Sequence, residues 1–363
     1  MRVAAFINGA TSTSFQLELS VNINQITSAD ITIFSLYDNS LSDADNDTKN
    51  YEMNFVPLGA SSRFDVSAYK KLRNHLSDYD ILHTHYNFTG SVARLASFGT
   101  NVRVVNTEHT DHNRLSDIQN VANMFTYPAV DAMVFNSKNT QQSIQSYEIP
   151  FLTKSDCYVA YNGVDTQRIQ ESCDLTPRSS LPSGPKIVTA ARLVPVKNLT
   201  VLVSAMQLIT EYFPDAQLII IGDGPEKSHL QQLAIDLGVF QSTTFLGKLG
   251  REDVYAIMNQ CDVFAVPSKH EGFCNAAVEA MYLRLPVVAS DIAVLREVIG
   301  PYGQYADPES PKMFAQHIID LLGSVELRNN VGVKLHNRVL QRYTIESSAK
   351  RYYQIYREVL SDS

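Results

Sequence analysis

Residues 262–281 read DVFAVPSKHEGFCNAAVEAM. The stretch opens on a short apolar run of strand character, crosses a loop marked by Pro267 and Gly272, and enters a helical stretch near Asn275. Strand, loop and helix in that order form the repeating unit of a parallel α/β sheet, whose chemistry gathers in the loop beyond the strand. Gly272 lets the backbone approach a ligand, and the N–H groups of Phe273, Cys274, Asn275 and Ala276 at the start of a helix suit an anion such as a diphosphate. Glu271 and Glu279 would flank those phosphates rather than bind them, one beside a sugar and the other beside a ribose. Taken alone, the stretch reads equally well as a turn into a helix bordered by surface acids.

The same unit recurs on both sides. In the first half, strands are expected over 2–8, 30–36, 54–57, 80–85, 103–107, 132–136 and 157–161. Between the first two, Phe15, Leu19, Ile23 and Ile26 place an apolar stripe on one helix face. Over 67–78, Tyr69, Leu72 and Leu76 point inward while Lys70, Lys71 and Arg73 face solvent. The texture changes over 165–185, where Pro177, Pro182, Ser183, Gly184 and Pro185 predict a linker. A second series follows, with strands expected over 187–191, 217–221, 243–246, 263–266 and 286–289, and helices over 326–342 and 346–360. The reading is therefore an amino-terminal domain 1–165, a linker 166–185, and a carboxy-terminal domain 186–345, with the last helix, 346–363, assigned to the first domain. Such sheets are covered on both faces and bind ligands at the carboxyl ends of their strands.

A chain of 363 residues, 44% hydrophobic, can fill two cores. Its formal net charge of −8 lacks the basic footprint that nucleic acid requires. Cys157, Cys173, Cys261 and Cys274 form no C-x-x-C pair, which disfavours a disulfide framework or zinc site and favours a reducing compartment. The apolar run 3–7 is too short for a signal-peptide core and reads as the first strand. No uninterrupted apolar stretch reaches the roughly 20 residues of a membrane span, so any membrane contact is expected to be peripheral. The run 42–50, SDADNDTKN, reads as a solvated loop, including its Asp43, Asp45 and Asp47. His83, His85 and Asp80 suggest a metal site only weakly, for want of a third ligand with suitable spacing.

A second motif is AARLVPVKN, residues 190–198, at the exit of the first strand of the second domain. Arg192 and Lys197 on one loop supply a planar fork and a compact ammonium, a pairing suited to a diphosphate. The order and spacing of the two motifs, about eighty residues apart, resemble those of the retaining glycosyltransferases of family 4, which have the GT-B fold. Asn162-Gly163-Val164-Asp165, Gly222-Asp223-Gly224-Pro225 and a final helix over 352–360 extend the resemblance. It implies two Rossmann-like α/β domains facing each other across a deep cleft, with the last helix returning to the first domain.

The resemblance further implies that Arg192 and Lys197 hold the donor diphosphate, Glu279 binds the ribose, and Glu271 contacts the donor sugar near its reacting face. Phe245-Leu246-Gly247-Lys248 is expected to line the base pocket. His109, just past a strand end, corresponds to the family's active-site histidine, although Glu108, Asp111 and His112 are close by. Gly9 lies in a loop where a double glycine is common, and here the second position is Ala10. Cys274 stands where a small residue, often glycine, is usual. The implied reaction moves a sugar from a UDP- or GDP-linked donor to a glycan, lipid-linked or small-molecule acceptor, as in cell-envelope glycan synthesis. Anomeric configuration is retained, the donor phosphate acts as base, and neither metal nor other cofactor takes part. The expected location is cytoplasmic, with peripheral contact at the inner membrane face.

Two other enzyme classes and a binding role compete with this reading. A nicotinamide oxidoreductase requires G-x-G-x-x-G, which neither Asn8-Gly9-Ala10 nor Gly222-Asp223-Gly224 completes. A nucleotide-sugar epimerase would convert the donor without an acceptor. A non-catalytic nucleotide-sugar-binding subunit would have less reason to keep Arg192, Lys197, Glu271 and Glu279 together.

Overall fold

The computed structural model describes residues 1–9, 14–37, 53–85, 88–152, 155–175 and 181–361. Ala10 and the run Asp43, Asp45, Asp47 lie outside them. The chain divides into two compact units, Met1–Gly163 with Ile345–Ser363, and Val164–Thr344.

The first unit contains β1 Arg2–Ile7, β2 Asp30–Ser35, β3 Asn54–Pro57, β4 Ile81–His85, β5 Arg103–Glu108, β6 Ala132–Phe135 and β7 Asp156–Val159. They form one parallel sheet in the order β3-β2-β1-β4-β5-β6-β7. Val3 through Ile7 are all buried, as a central strand covered on both faces requires. Alternation then divides the strand between two cores: Val3, Ala5 and Ile7 face one layer, Ala4 and Phe6 the other. The first layer holds the helix Phe15–Ile26 and the final helix Ile345–Ser361, whose Ile345, Ala349, Tyr352, Ile355, Tyr356 and Val359 recur at helical spacing and are buried there. Of the expected stripe on the earlier helix, Phe15, Leu19 and Ile23 are buried, while Ile26, its last residue, is exposed.

The second unit contains β8 Lys186–Ala190, β9 Gln217–Ile221, β10 Thr243–Gly247, β11 Val263–Val266, β12 Val287–Ser290 and β13 Gln304–Ala306. They too are parallel, in the order β10-β9-β8-β11-β12-β13. β13 is absent from the sequence reading because its three residues, QYA, are too few to show a period. The expected linker 166–185 also needs correction. Its first part is the helix Thr166–Cys173, capped by Asp165 accepting from the Arg168 N–H at 2.9 Å and anchored by buried Ile169. The prolines that suggested a linker all lie beyond this helix, so they restrict only the later residues of the segment.

Each sheet reverses its strand order once, between β1 and β4 in the first unit and between β8 and β11 in the second. Loops leaving the two strands at such a point diverge and leave a crevice between them. Both motifs of the second unit lie on these loops, after β8 and β11.

Candidate active site

In the second unit, the pairing of β8 with β11 brings the two motifs together. After β8, the chain makes the short 3-10 turn Pro195–Lys197 and ends it at Asn198, which has the left-handed φ of +55°. Asparagine tolerates that conformation, and the Asn198 side-chain amide donates to the carbonyls of Pro267 at 3.1 Å and Pro308 at 2.7 Å. The Lys269 N–H donates to the Val196 carbonyl at 2.9 Å. These bonds fix the β8 loop on the β11 loop, and Lys197 Nζ then donates to Glu271 Oε1 at 2.7 Å. Ser268 Oγ donates to the same oxygen at 2.7 Å. Burial works against the Lys197 cation, but the adjacent Glu271 carboxylate outweighs it and raises the lysine pKa.

The Gly222-Asp223-Gly224-Pro225 stretch supports the loop from its other side. Leu193 N–H donates to the Asp223 carbonyl at 2.9 Å and Glu226 N–H to the Leu193 carbonyl at 3.1 Å. Gly222 and Gly224 have φ of +132° and +158°, and a Cβ on either would run into the Ala191 or Leu193 carbonyl. Only glycine permits the approach. Beside this contact lies a cavity of about 460 Å³, lined by Ala190, Ala191, Arg192, Ile221, Gly222, Asp223, Lys248, Leu249 and Val254. Lys248 thus lies on the cavity wall with Arg192, and among the described residues no carboxylate is paired with Arg192.

Beyond β11, Cys274 takes φ +78° and ψ +69° and begins the helix Asn275–Tyr282 without a side-chain cap. Its carbonyl accepts from the N–H groups of Ala277 at 3.1 Å and Val278 at 3.4 Å. Gly272 and Ala276 are half-buried at this turn, and Phe273 is buried with its ring edge-on to Tyr343, centroids 5.5 Å apart. Burial, then the Glu271 charge, raises the Cys274 thiol pKa. Glu279 lies in the body of the helix, 7% exposed, where its Oε1 accepts from Tyr255 OH at 3.0 Å and pairs with Arg251 Nη2 at 3.3 Å. Arg251 and Tyr255 lie outside both motifs and are absent from the sequence reading, and Ser268 lies inside the quoted stretch without being singled out there.

In the first unit, His109 follows β5 and is only partly exposed. Its Nε2 lies 3.1 Å from His85 Nδ1, with the two rings stacked at 5.3 Å, and Phe15 meets it edge-on at 6.3 Å. His83, two residues before His85 on the same face, bonds Thr107 Oγ1 at 2.8 Å and Tyr356 OH at 2.7 Å. The expected strand histidines are therefore a buried network joined to the final helix. Burial pushes the pKa of His109 down to about 4, that of His83 to about 3, and that of His85 well below 6.5. The neighbours weighed against His109 have other partners. His112 is buried against Glu148 at 3.0 Å, and Glu108 accepts from Asn106 at 2.9 Å. Asp111 accepts from the Asn113 N–H at 2.9 Å. Gly9 is half-buried directly after β1.

Residues 177–336 match the family described as glycosyl transferases group 1, and residues 28–168 match glycosyltransferase family 4. The chain belongs to this glycosyltransferase family. A D-inositol 3-phosphate glycosyltransferase from Corynebacterium urealyticum is 26% identical over 315 residues, covering 79% of this chain and 73% of its own length. An N-acetyl-alpha-D-glucosaminyl L-malate synthase from Bacillus anthracis is 27% identical over 294 residues, covering 78% and 76%. Among solved structures, Anabaena HepE, crystallised with UDP and glucose, aligns over 100% of both chains with a TM-score of 0.81 and 18% identity. The sucrose-phosphate synthase of Thermosynechococcus elongatus aligns over 100% of both chains at 0.80 and 17%. The glycosyltransferase thus has the two parallel-sheet α/β domains of the GT-B fold. None of its described helices is long and apolar enough to cross a membrane.

Proposed function

We propose that this glycosyltransferase takes its sugar from a UDP- or GDP-linked donor bound in the second unit and transfers it with retention of anomeric configuration. The observation that carries the reading is the convergence at the β8/β11 switch point. There Arg192 borders a cavity of about 460 Å³, and Lys197 is locked at 2.7 Å to Glu271. Departure of a nucleoside diphosphate places growing negative charge on the leaving oxygens, and preorganised cations stabilise it without solvent having to reorganise. Arg192 and Lys197 take that role, helped by the start of the helix at Cys274, Asn275 and Ala276, with Gly272 and Phe273 shaping the approach. Glu279 receives the ribose and Glu271 the donor sugar, with no protein nucleophile.

The side-chain cations make a metal unnecessary. Gly9 and His109 are the contribution of the first unit, the latter as a neutral imidazole, since its pKa of about 4 keeps it uncharged at neutral pH. The names of the relatives and the UDP complexes of HepE support a nucleotide-sugar donor. Acceptors of glycan, lipid-linked or small-molecule type, the last like those named for the relatives, fit the same chemistry.

The test is calorimetric titration with UDP and GDP. Incubation with the corresponding UDP- or GDP-sugars and candidate acceptors comes next, with and without EDTA, and NMR reads the anomeric configuration of the product. Transfer that survives chelation and retains configuration is expected. Binding of neither nucleotide, loss of transfer on chelation, inversion, or conversion of the donor without an acceptor would each refute a stated part of the reading.

A further inference from the structure

Glu279 is the carboxylate to which the proposed function gives the ribose, and the role of its neighbours rests on that assignment. A carboxylate discriminates hydroxyl groups only if its plane is held, because the terminal torsion of a glutamate side chain is broad and twofold. Here the plane is held from outside its own helix. Arg251 Nη2 and Tyr255 OH reach Glu279 from the neighbouring helix Arg251–Met258, where they stand four residues apart on one face. Both contacts, at 3.3 and 3.0 Å, fall on Oε1. The cation and hydroxyl together engage one oxygen, and among the described residues no side chain is paired with the other. All three groups are sheltered: Tyr255 is 1% exposed, Glu279 7%, and the Arg251 side chain 15%. The helix also borders the nucleotide cavity, since Lys248 and Leu249 just before it and Val254 within it line the space that Arg192 borders.

We infer that Arg251 and Tyr255 are positioning residues that set the ribose-hydroxyl selectivity of the nucleotide site through Glu279. A hydrogen bond from a hydroxyl to a fixed, charged acceptor confers selectivity because an analogue lacking that hydroxyl leaves a sheltered carboxylate oxygen unsatisfied. A carboxylate released from its clamp can rotate and be hydrated, so the missing hydroxyl costs less. The selectivity belongs to the pair and its acceptor together, and it is separable from the grip on the diphosphate.

The experiment is calorimetric titration of the full chain with UDP and GDP and with their 2′-deoxy and 3′-deoxy counterparts. Wild type is expected to prefer a ribonucleotide over at least one deoxy counterpart by roughly ten- to hundredfold. Arg251→Gln and Tyr255→Phe should each reduce that preference toward the value of Glu279→Ala, while affinity for the deoxynucleotide stays unchanged. Arg251→Lys should retain part of it. Tyr255→Phe keeps the buried ring, so it carries the test should Arg251→Gln fail to fold. Variants that keep the full preference, or that weaken ribo- and deoxynucleotide equally, overturn the inference and leave a purely structural pairing. Failure of wild type to bind either nucleotide overturns the assignment of Glu279 and the inference with it.

Discussion

Replacing Lys197 with alanine removes two things that the structure separates. One is the cation proposed to meet the departing diphosphate. The other is the partner of Glu271, whose side chain is only 8% exposed and is bonded to Lys197 at 2.7 Å. Loss of one preorganised charge-stabilising donor raises a barrier by about 2.7–4 kcal/mol, roughly a hundred- to thousandfold in rate. Because Lys197 is engaged with Glu271, its stabilisation is greatest as phosphate charge grows, so kcat should fall more than KM rises. Stability should fall as well, by about 1–3 kcal/mol, since Ser268 alone remains on the carboxylate. The double variant Lys197→Ala/Glu271→Gln separates the two effects, recovering most of the thermal stability without recovering transfer. Lys197→Arg should recover only part of the activity, because a planar fork does not occupy the place of an ammonium. Steady-state kinetics with thermal denaturation of the three variants decides the matter. A folded Lys197→Ala enzyme transferring at the wild-type rate refutes the clamp.

Two further outcomes rest on the pKa shifts and the backbone. His83, His85 and His109 are held neutral by burial, with folded pKa values below the ordinary 6.5, so below that pH the unfolded chain binds protons that the native state refuses. Unfolding free energy should therefore fall from pH 6.5 toward pH 4, each histidine contributing up to about 1.4 kcal/mol per unit. His112 is raised instead by Glu148 against its burial, so its contribution is constant below 6.5 and is lost only as pH rises through its folded value, outside the window in which the trio acts. Urea unfolding across that window checks the sign, and stability that rises on acidification refutes it. Cys274→Gly should keep transfer and change stability by no more than about 1 kcal/mol, because relief of a left-handed φ of +78° is set against glycine's greater freedom when unfolded. Loss of transfer in that variant, read by the same product assay, would show that the thiol itself is required.

The central strands were legible because buried parallel strands are continuous apolar runs: β9 and β11 coincide with their expected bounds, as does the unburied edge strand β3, and most others lie within a residue of theirs. β13 escaped because three residues carry no period, and the helix Thr166–Cys173 because the prolines beyond it dominated the composition of the segment. Within the site, a motif names residues on a single loop, so Arg192, Lys197, Glu271 and Glu279 could be named. The groups that hold them could not. Asn198 lies inside a motif, yet its bonds to Pro267 and Pro308 span 69 and 110 residues. Tyr356 lies 273 residues from His83. Such partners depend on tertiary packing, which local spacing does not encode.

The two acids of the site are each answered by a cation from a different element, Glu271 by Lys197 and Glu279 by Arg251. A donor entering such a site does not meet four independent charges. It meets two neutralised pairs and, on the cavity wall, Arg192 and Lys248, neither with a carboxylate partner among the described residues. On the proposed reading, of the two cations on the β8 loop it is Arg192 that supplies the ground-state attraction for the diphosphate, because the field of a compensated pair decays faster with distance than that of a lone charge. Lys197 is screened by Glu271 until the leaving oxygens come within hydrogen-bonding reach and their charge grows. The pairing thus divides the labour of the two cations on one loop, with binding assigned chiefly to Arg192 and stabilisation of the departing group to Lys197. Arg192 variants should accordingly lose donor affinity first, and Lys197 variants turnover.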